Sequence, residues 1–189
     1  MLSWRVTYME RTAVPENGTP LAPAGVTFAL EADIGPDVYR ELHCKVGEEW
    51  LWWERISFDD ATLGALLSDA ATEIFILRAD GGLAGFVELD SSDTEAPAIR
   101  YFGLLPKFIG QRLGSYMMES LLHQAWRPGV RVVTLDTCDL DHPAAVPFYR
   151  RYSFEVTHSE VRWAEDPREA GILPMTAAPH IPLNRQLKN

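Results

Sequence analysis

The amino-acid sequence predicts an α/β fold, a mixed sheet of about six or seven strands flanked by helices, and three observations carry that expectation. Two apolar runs, Glu73 to Ala79 and Leu83 to Leu89, flank Asp80-Gly81-Gly82, which is hairpin chemistry. After Gly110, the residues Leu113, Met117, Leu121 and Ala125 recur at four-residue spacing with Met118 and Leu122 beside them, so one broad helical face is apolar. The order along the chain is strands, hairpin, strand, helix, strand, helix, strand, which is the order of an α/β sheet.

Taken from the start, Leu2 to Tyr8 alternates as a strand does, and Asn17-Gly18-Thr19-Pro20 is turn chemistry. Val26 to Leu30 reads as a second short strand or an extended arm. Pro36 to Lys45 reads as a helix, because proline at the first helical position sacrifices no internal hydrogen bond. Trp50, Trp52 and Trp53 crowd a charged segment and admit three readings: core, a dimer contact, or a wall for an acceptor. Ordinary burial preferences favour the core. Ser57 or Asp59 caps a helix that runs to about Asp69 with Leu63, Leu66 and Leu67 on one face. The hairpin comes next, then a strand over Ala98 to Leu105 and the helix after Gly110, which Pro128-Gly129 ends. Val130 to Thr137 is the following strand, Pro143 to Arg151 a second helix on that side, and Phe154 to Trp163 a last strand. The tail beyond Asp166 holds Pro167, Pro174, Pro179 and Pro182, too many for a regular element, so it is either a wrap or a flexible end. No internal repeat or linker divides the chain, and residues 1–189 read as one domain.

Composition narrows the partners. With 47% apolar and 23% charged residues the chain is globular, and its length suffices for a full hydrophobic core. The formal net charge of −10 argues against nonspecific binding to nucleic acid or to an anionic membrane, since both require a positive face, and it attracts a small cationic partner. No run approaches the ~20 apolar residues of a transmembrane helix, and the start lacks a basic-then-apolar leader, so a cytoplasmic protein is expected. Cys44 and Cys138 form no CxxC pair and read as reduced, buried thiols.

Chemistry concentrates in two segments. In Tyr101 to Met118 an apolar strand runs through Pro106 into a turn and then a helix opening near Gly110. The first-turn N–H groups of such a helix lack internal partners and its dipole is positive there, so bound phosphate satisfies both, and Gly110 and Gly114 permit close approach. The second segment, Thr134 to Glu155, reads as strand, polar turn and short aromatic helix. Together they resemble the acetyl-CoA core of the GCN5-related N-acetyltransferases (GNAT). Phe102, Leu104 and Pro106 match that family's apolar-x-apolar-x-Pro strand end, and Ile109 to Gly114 fill its (Arg/Gln)-Gly-x-Gly-x-(Gly/Ala) loop. The later family pattern, Asn-x-x-Ala-x-x-(Leu/Phe)-Tyr-x-x-x-Gly-Phe, falls on His142, Ala145, Phe148, Tyr149, Ser153 and Phe154 without a gap. Four positions depart from it: Ile109 for Arg or Gln, Arg112 for the middle loop glycine, His142 for Asn, and Ser153 for the glycine before Phe154. The similarity covers about residues 73–161, leaving about 1–72 as an acceptor-side part and about 164–189 as a proline-rich tail.

The resemblance implies a mixed, mostly antiparallel sheet splayed between the family's strands four and five, with acetyl-CoA entering the gap as the acyl donor and no metal. Backbone groups of Phe102, Gly103, Leu104 and Leu105 would bind the pantetheine, with the Leu104 N–H facing the thioester oxygen. Lys107, Ile109, Gly110, Gln111, Arg112, Leu113, Gly114 and Ser115 would surround the pyrophosphate, and His142, Ala145 and Phe148 would lie along the cofactor. The implied activity is acetylation of a primary amine on a small molecule or a protein amino group, with a homodimer as an option and a catalytically weak CoA-binding module as the alternative. An amine of pKa about 10.4 requires about 4 to 5 kcal/mol to lose its proton at neutral pH, so a base or water chain is needed. The developing oxyanion needs a fixed donor worth around 3 kcal/mol. The departing thiolate needs an acid, and Tyr149 fits, because proton transfer from a phenol near pKa 10 to a thiol near 8.5 costs only about 2 kcal/mol. Many relatives carry a Glu on strand four, where this chain has Ala98 and Arg100, so Glu88 is the first substitute as base, followed by Asp136 and Asp139. The cluster Cys138, Asp139, Asp141, His142 lacks zinc spacing and reads as the cofactor turn.

Overall fold

A computed structural model describes residues 1–16 and 18–187; Asn17 of the expected turn and the last two tail residues lie outside them. Seven strands form one sheet in the order β2-β3-β4-β5-β6-β1-β7. The strands are β1 (Leu2–Arg11), β2 (Val26–Leu30), β3 (Thr72–Ala79), β4 (Gly82–Asp90), β5 (Ala98–Leu104), β6 (Val133–Cys138) and β7 (Glu155–Ala164). Every pairing is antiparallel except β5 with β6. The helices are α1 (Pro36–Gly47), α2 (Asp60–Ser68), α3 (Leu113–Ala125) and α4 (Ala145–Arg151). Among the described residues no helix is long and apolar enough to cross a membrane.

Both faces of the sheet are covered, which is why β3 and β4 read as near-continuous apolar runs. On one face α1 and α2 pack Tyr39, Leu42 and Leu63 against Ile74, Ile76 and Phe86. On the other, α3 and α4 pack Met117, Leu121 and Tyr149 against Phe75, Val87 and Ile99. The β3–β4 turn is a two-residue reversal in which Asp80 and Gly81 both have positive φ, 52° and 75°, the twist that suits a hairpin. Of the two cap candidates for α2, Asp59 holds the position and accepts the Thr62 N–H at 2.7 Å.

Some boundaries shift for identifiable reasons. The strand expected from Val130 begins at Val133 because the Arg131 and Val132 amides both donate to the Glu95 carbonyl. The helix expected to open near Gly110 begins at Leu113, after a 3-10 turn over Pro106–Phe108 and a left-handed residue, Arg112. The proline-rich tail is a wrap. Leu173, Ala177, Ala178 and Ile181 are buried against Leu2, Trp4, Val6, Leu51 and Leu140. The buried Arg168–Asp166 ion pair holds it, with Arg168 also donating to the Ile181 carbonyl at 2.8 Å. Such a pair is stable in a dry setting only when its remaining donors are satisfied, and tail carbonyls do that here.

Candidate active site

The site begins where two strands part. β5 and β6 pair only at Ala98 with Thr134 and Ile99 with Leu135; beyond those residues the strands diverge. A cavity of about 540 Å3 opens there, lined by Arg100 to Leu104 from β5 and Asp136 to Cys138 from β6. The Leu105 N–H donates to the Ala84 carbonyl of β4 at 2.8 Å. Since successive strand amides point in opposite directions, the Leu104 N–H faces the gap. Gly103 is required sterically: a Cβ there would stand 2.3 Å from Val46 and 3.0 Å from the Trp52 ring.

One end of the cavity suits phosphate. Ile109, Gly110, Arg112, Gly114 and Ser115 line it, together with Arg151, whose guanidinium lies over the Phe148 ring. Gly110 has φ 84° and Arg112 φ 63°, so the chain turns through two left-handed residues before α3. Glycine accepts that conformation freely, whereas Arg112 holds it at a cost of about 1 kcal/mol. The Arg112 carbonyl already accepts the Ser115 and Tyr116 amides, which leaves the helix-opening N–H groups turned outward. The same substitution pattern recurs beyond α4. Ser153, with φ 59°, is the left-handed residue of a Schellman turn in which the Phe154 amide donates to Tyr149 and the Ser153 amide to Arg150.

The other end is aromatic and acidic. The Trp52 Nε1–H donates to Asp141 at 3.0 Å, tying the segment after α1 to the turn after β6. Asp141 also accepts from the Thr137 hydroxyl and the Cys138 amide. Trp50 stands edge-on between His142 and His180 of the tail, and Trp53 meets Trp4 edge-on at 5.3 Å between centroids. All three tryptophans of the cluster line the cavity, and Trp52 and Trp53 also pack against the hydrophobic core, as burial preference favoured. The Tyr101 hydroxyl donates to Glu54 at 2.9 Å, and Asp136 faces the same space. Solvent reaches Asp136, yet the concave wall surrounds it, and this desolvation raises its pKa against the pull of Arg162 and Arg100.

The residues singled out from sequence divide clearly. Phe102, Gly103, Leu104, Ile109, Gly110, Arg112, Gly114, Ser115, His142, Ala145, Phe148 and Tyr149 all line the cavity. Leu105, Lys107, Gln111, Leu113 and Glu88 do not. Leu113 is core, Lys107 lies over the Phe108 ring, and Gln111 donates to the Lys107 carbonyl. Glu88 is 1% exposed beneath α1, where it is ion-paired with Arg55 at 2.6 Å and accepts the Tyr39 hydroxyl. Burial and the Glu88 charge raise the Tyr39 pKa; burial pulls the Arg55 pKa down, and the bond to Glu88 together with the Glu88, Tyr101 and Tyr39 charges raises it and holds the guanidinium charged. Asp139 is paired with Arg185 of the tail at 2.7 Å. Tyr149 is buried with its ring against Phe102 and Phe154. Burial first, then the Asp141 and Asp136 charges, raise its pKa and keep it protonated. Sequence reasoning did not single out Trp4 or Glu54. The alternation of β1 did place Trp4 on one sheet face with Val6 and Tyr8, but nothing local pointed that face at a cavity.

The profile of the Acetyltransferase (GNAT) family matches residues 36–154, beginning at the first residue of α1. No curated protein matches the chain. Solved structures with the same fold include a GCN5-related N-acetyltransferase from Sphaerobacter thermophilus, 16% identical with a TM-score of 0.59 over 85% of this chain and 51% of that one. A GCN5-related N-acetyltransferase from Kribbella flavida is 17% identical, TM-score 0.52, over 83% of this chain and 56% of that one. A GNAT family acetyltransferase from Elizabethkingia anophelis with acetyl-CoA bound is 15% identical, TM-score 0.55, over 72% and 80%. The chain thus spans a little over half the length of the first two.

Proposed function

The chain belongs to the GNAT acetyltransferase family, and from that premise we propose that it transfers an acetyl group from acetyl-CoA to a primary amine. The observation that carries this reading is the parting of β5 and β6 around a cavity with a helix opening at one end and carboxylates at the other. The donor fits: a pantetheine arm needs free strand amides, and the Leu104 N–H faces the gap; a pyrophosphate needs a helix N-terminus and cations, and α3, Arg112 and Arg151 offer them. When bound, acetyl-CoA supplies the acetyl group as an activated thioester.

The chain's own residues do the rest. The Leu104 N–H stands as the donor for charge developing on the carbonyl oxygen, the kind of contact whose loss costs around 3 kcal/mol. Tyr149 holds a proton for the departing sulfur; its raised pKa lifts the cost of that transfer above the ~2 kcal/mol of an ordinary phenol. Glu88, the first candidate for base, has its carboxylate engaged by Arg55 and Tyr39, so in this proposal it positions Arg55 and Tyr39 beneath the sheet. The cavity's own acid, Asp136, and solvent in the open cavity are left to receive the amine proton. A cytoplasmic location and a homodimer belong to the same proposal. Acetyl-CoA binding by calorimetry, followed in the same sample by free-thiol release across a panel of amines, tests it. Micromolar binding with amine-dependent thiol is expected. Binding without thiol for any amine favours the CoA-binding module, which the engagement of Glu88 would suit, and absence of binding refutes both.

A further inference from the structure

We infer that the acceptor is a small primary amine carrying one positive charge on an apolar body of aromatic size, its ammonium docked on Asp136 and its body against Trp4, Trp50 and Trp53. The inference rests on the transferase reading above and adds the class of acceptor to it. The two cavity ends differ: Arg112 and Arg151 stand at the helix opening, and the tryptophans stand with Glu54, Asp136 and Asp141 at the other end, where Arg100 and Arg162 also line the wall. An acceptor therefore enters from the aromatic side.

Three carboxylates face that side, and two are engaged. Asp141 receives Trp52, Thr137 and the Cys138 amide, and Glu54 receives Tyr101. Asp136 accepts no hydrogen bond among the described residues. Its cationic neighbours are turned elsewhere, Arg100 to Asp90 at 2.8 Å and Arg162 to Glu160 at 2.8 Å and to the Tyr8 hydroxyl. Solvent reaches Asp136 and the concave wall leaves it without a protein donor among the described residues, so an ammonium docking there gains a charge-assisted bond without displacing one. The groups facing Asp136 are Arg100 from β5, Arg162 and Tyr8 from the paired strands, Glu54 from the segment after α1, and Asp141. That balance accommodates one extra positive charge. The second charge of a polyamine would meet Arg100 or Arg162. Indole faces favour both an apolar body and an adjacent cation, by about 0.5 to 2 kcal/mol per cation. Walls of tryptophan give a hydrophilic peptide end no partner for its amides.

The test is calorimetry on the full chain saturated with CoA, titrated with 2-phenylethylamine, ethylamine, spermidine and a Gly-Ser-Gly-Ser peptide, for the wild type, Asp136→Asn and Trp53→Leu. We expect 2-phenylethylamine to bind the wild type tightest, Asp136→Asn to weaken it about 10-fold or more with CoA affinity unchanged, and Trp53→Leu to weaken it while leaving ethylamine unaffected. Tighter binding of spermidine or of the peptide overturns the inference, as does equal 2-phenylethylamine affinity in Asp136→Asn. Unchanged CoA affinity guards against a misfolded variant. If CoA binds and no amine does, the acceptor assignment fails alone; if CoA does not bind the wild type, the transferase reading fails with it.

Discussion

Arg112→Gly should move two measurements in opposite directions. Arg112 is the N-terminal cap of α3 at φ 63°, ψ 5°, a conformation that costs an L-residue about 1 kcal/mol and glycine almost nothing. Part of the relief is lost because glycine has more freedom to lose on folding, so the net gain is at most about 0.5 kcal/mol. For a chain of 189 residues that corresponds to a rise in Tm of at most about 2 °C without ligand. Arg112, however, lines the helix-opening end of the cavity, and a charge-assisted bond from its guanidinium to phosphate would be worth about 1.5 to 3 kcal/mol, or about 10- to 150-fold in Kd. At a CoA concentration of about 100 times the wild-type Kd, ligand stabilises the wild type by about 2.7 kcal/mol; a variant about 10-fold weaker gains only about 1.4 kcal/mol. Thermal unfolding with and without CoA, together with calorimetric Kd values, reads both effects. A variant that binds CoA as tightly as the wild type would show that Arg112 is merely solvated, and a lower Tm without ligand would refute the strain argument.

Three further perturbations follow from the same coordinates. Ser153→Gly, at φ 59° in the Schellman turn after α4, should raise stability by at most about 0.5 kcal/mol in urea unfolding and leave CoA affinity unchanged, since Ser153 does not line the cavity. Tyr149→Phe should lower turnover at least tenfold with little change in CoA affinity; equal turnover would remove the phenol from its role as acid. His43 is fully buried, its ring nitrogens have no hydrogen-bond partner among the described residues, and burial, then Arg55, bring its pKa down to about 3. The unfolded state, with pKa about 6.5, binds the proton first, so this contribution is present above about pH 6.5 and is lost as pH falls towards 3, amounting to about 2 kcal/mol at pH 5. Urea unfolding of the wild type and His43→Leu at pH 7 and 5 should show the wild type losing about 2 kcal/mol more than the variant; parallel losses would mean that His43 is not held neutral.

The sheet and its cavity were legible in the sequence because the relevant information is local. Apolar runs, the Asp80-Gly81 turn and the four-residue spacing of α3 each act within about 15 residues, and the two spaced motifs bracket the β5–β6 gap. Glu88 was misleading for the opposite reason. A lone acid in an apolar strand signals a special environment, but the groups that claim it, Tyr39 and Arg55, lie 49 and 33 residues away and converge only through the packing of α1. The tail was half legible: its prolines exclude regular structure, and its described residues form no helix or strand, yet proline content says nothing of burial. The informative signal was the set Leu173, Ala177, Ala178 and Ile181 with Asp166 and Arg168, apolar residues and an ion pair that a solvated end would not need.

The departures from the family pattern gain meaning from the backbone. Arg112 and Ser153 stand where the pattern has glycine, and both hold the positive φ that glycine would hold, 63° and 59°, so the turn geometry is kept and its strain tolerated. Two such substitutions at about 1 kcal/mol each are affordable only where something else fixes the conformation. At Ser153 the Phe154 and Ser153 amides close the turn, and the Phe154 ring meets Tyr149 at 6.0 Å, so the strained residue also orients the phenol toward the gap. At Arg112 the internal restraint is weaker, the carbonyl accepting Ser115 and Tyr116 at 3.1 and 3.3 Å while the residue itself is exposed and lines the cavity. A residue that is strained, exposed and cationic at a helix opening gains most from an anion there. The ligand, on this argument, completes the turn that Arg112 leaves under strain, and CoA should protect the amides of the Gly110–Ser115 segment from hydrogen exchange more than those of the Schellman turn.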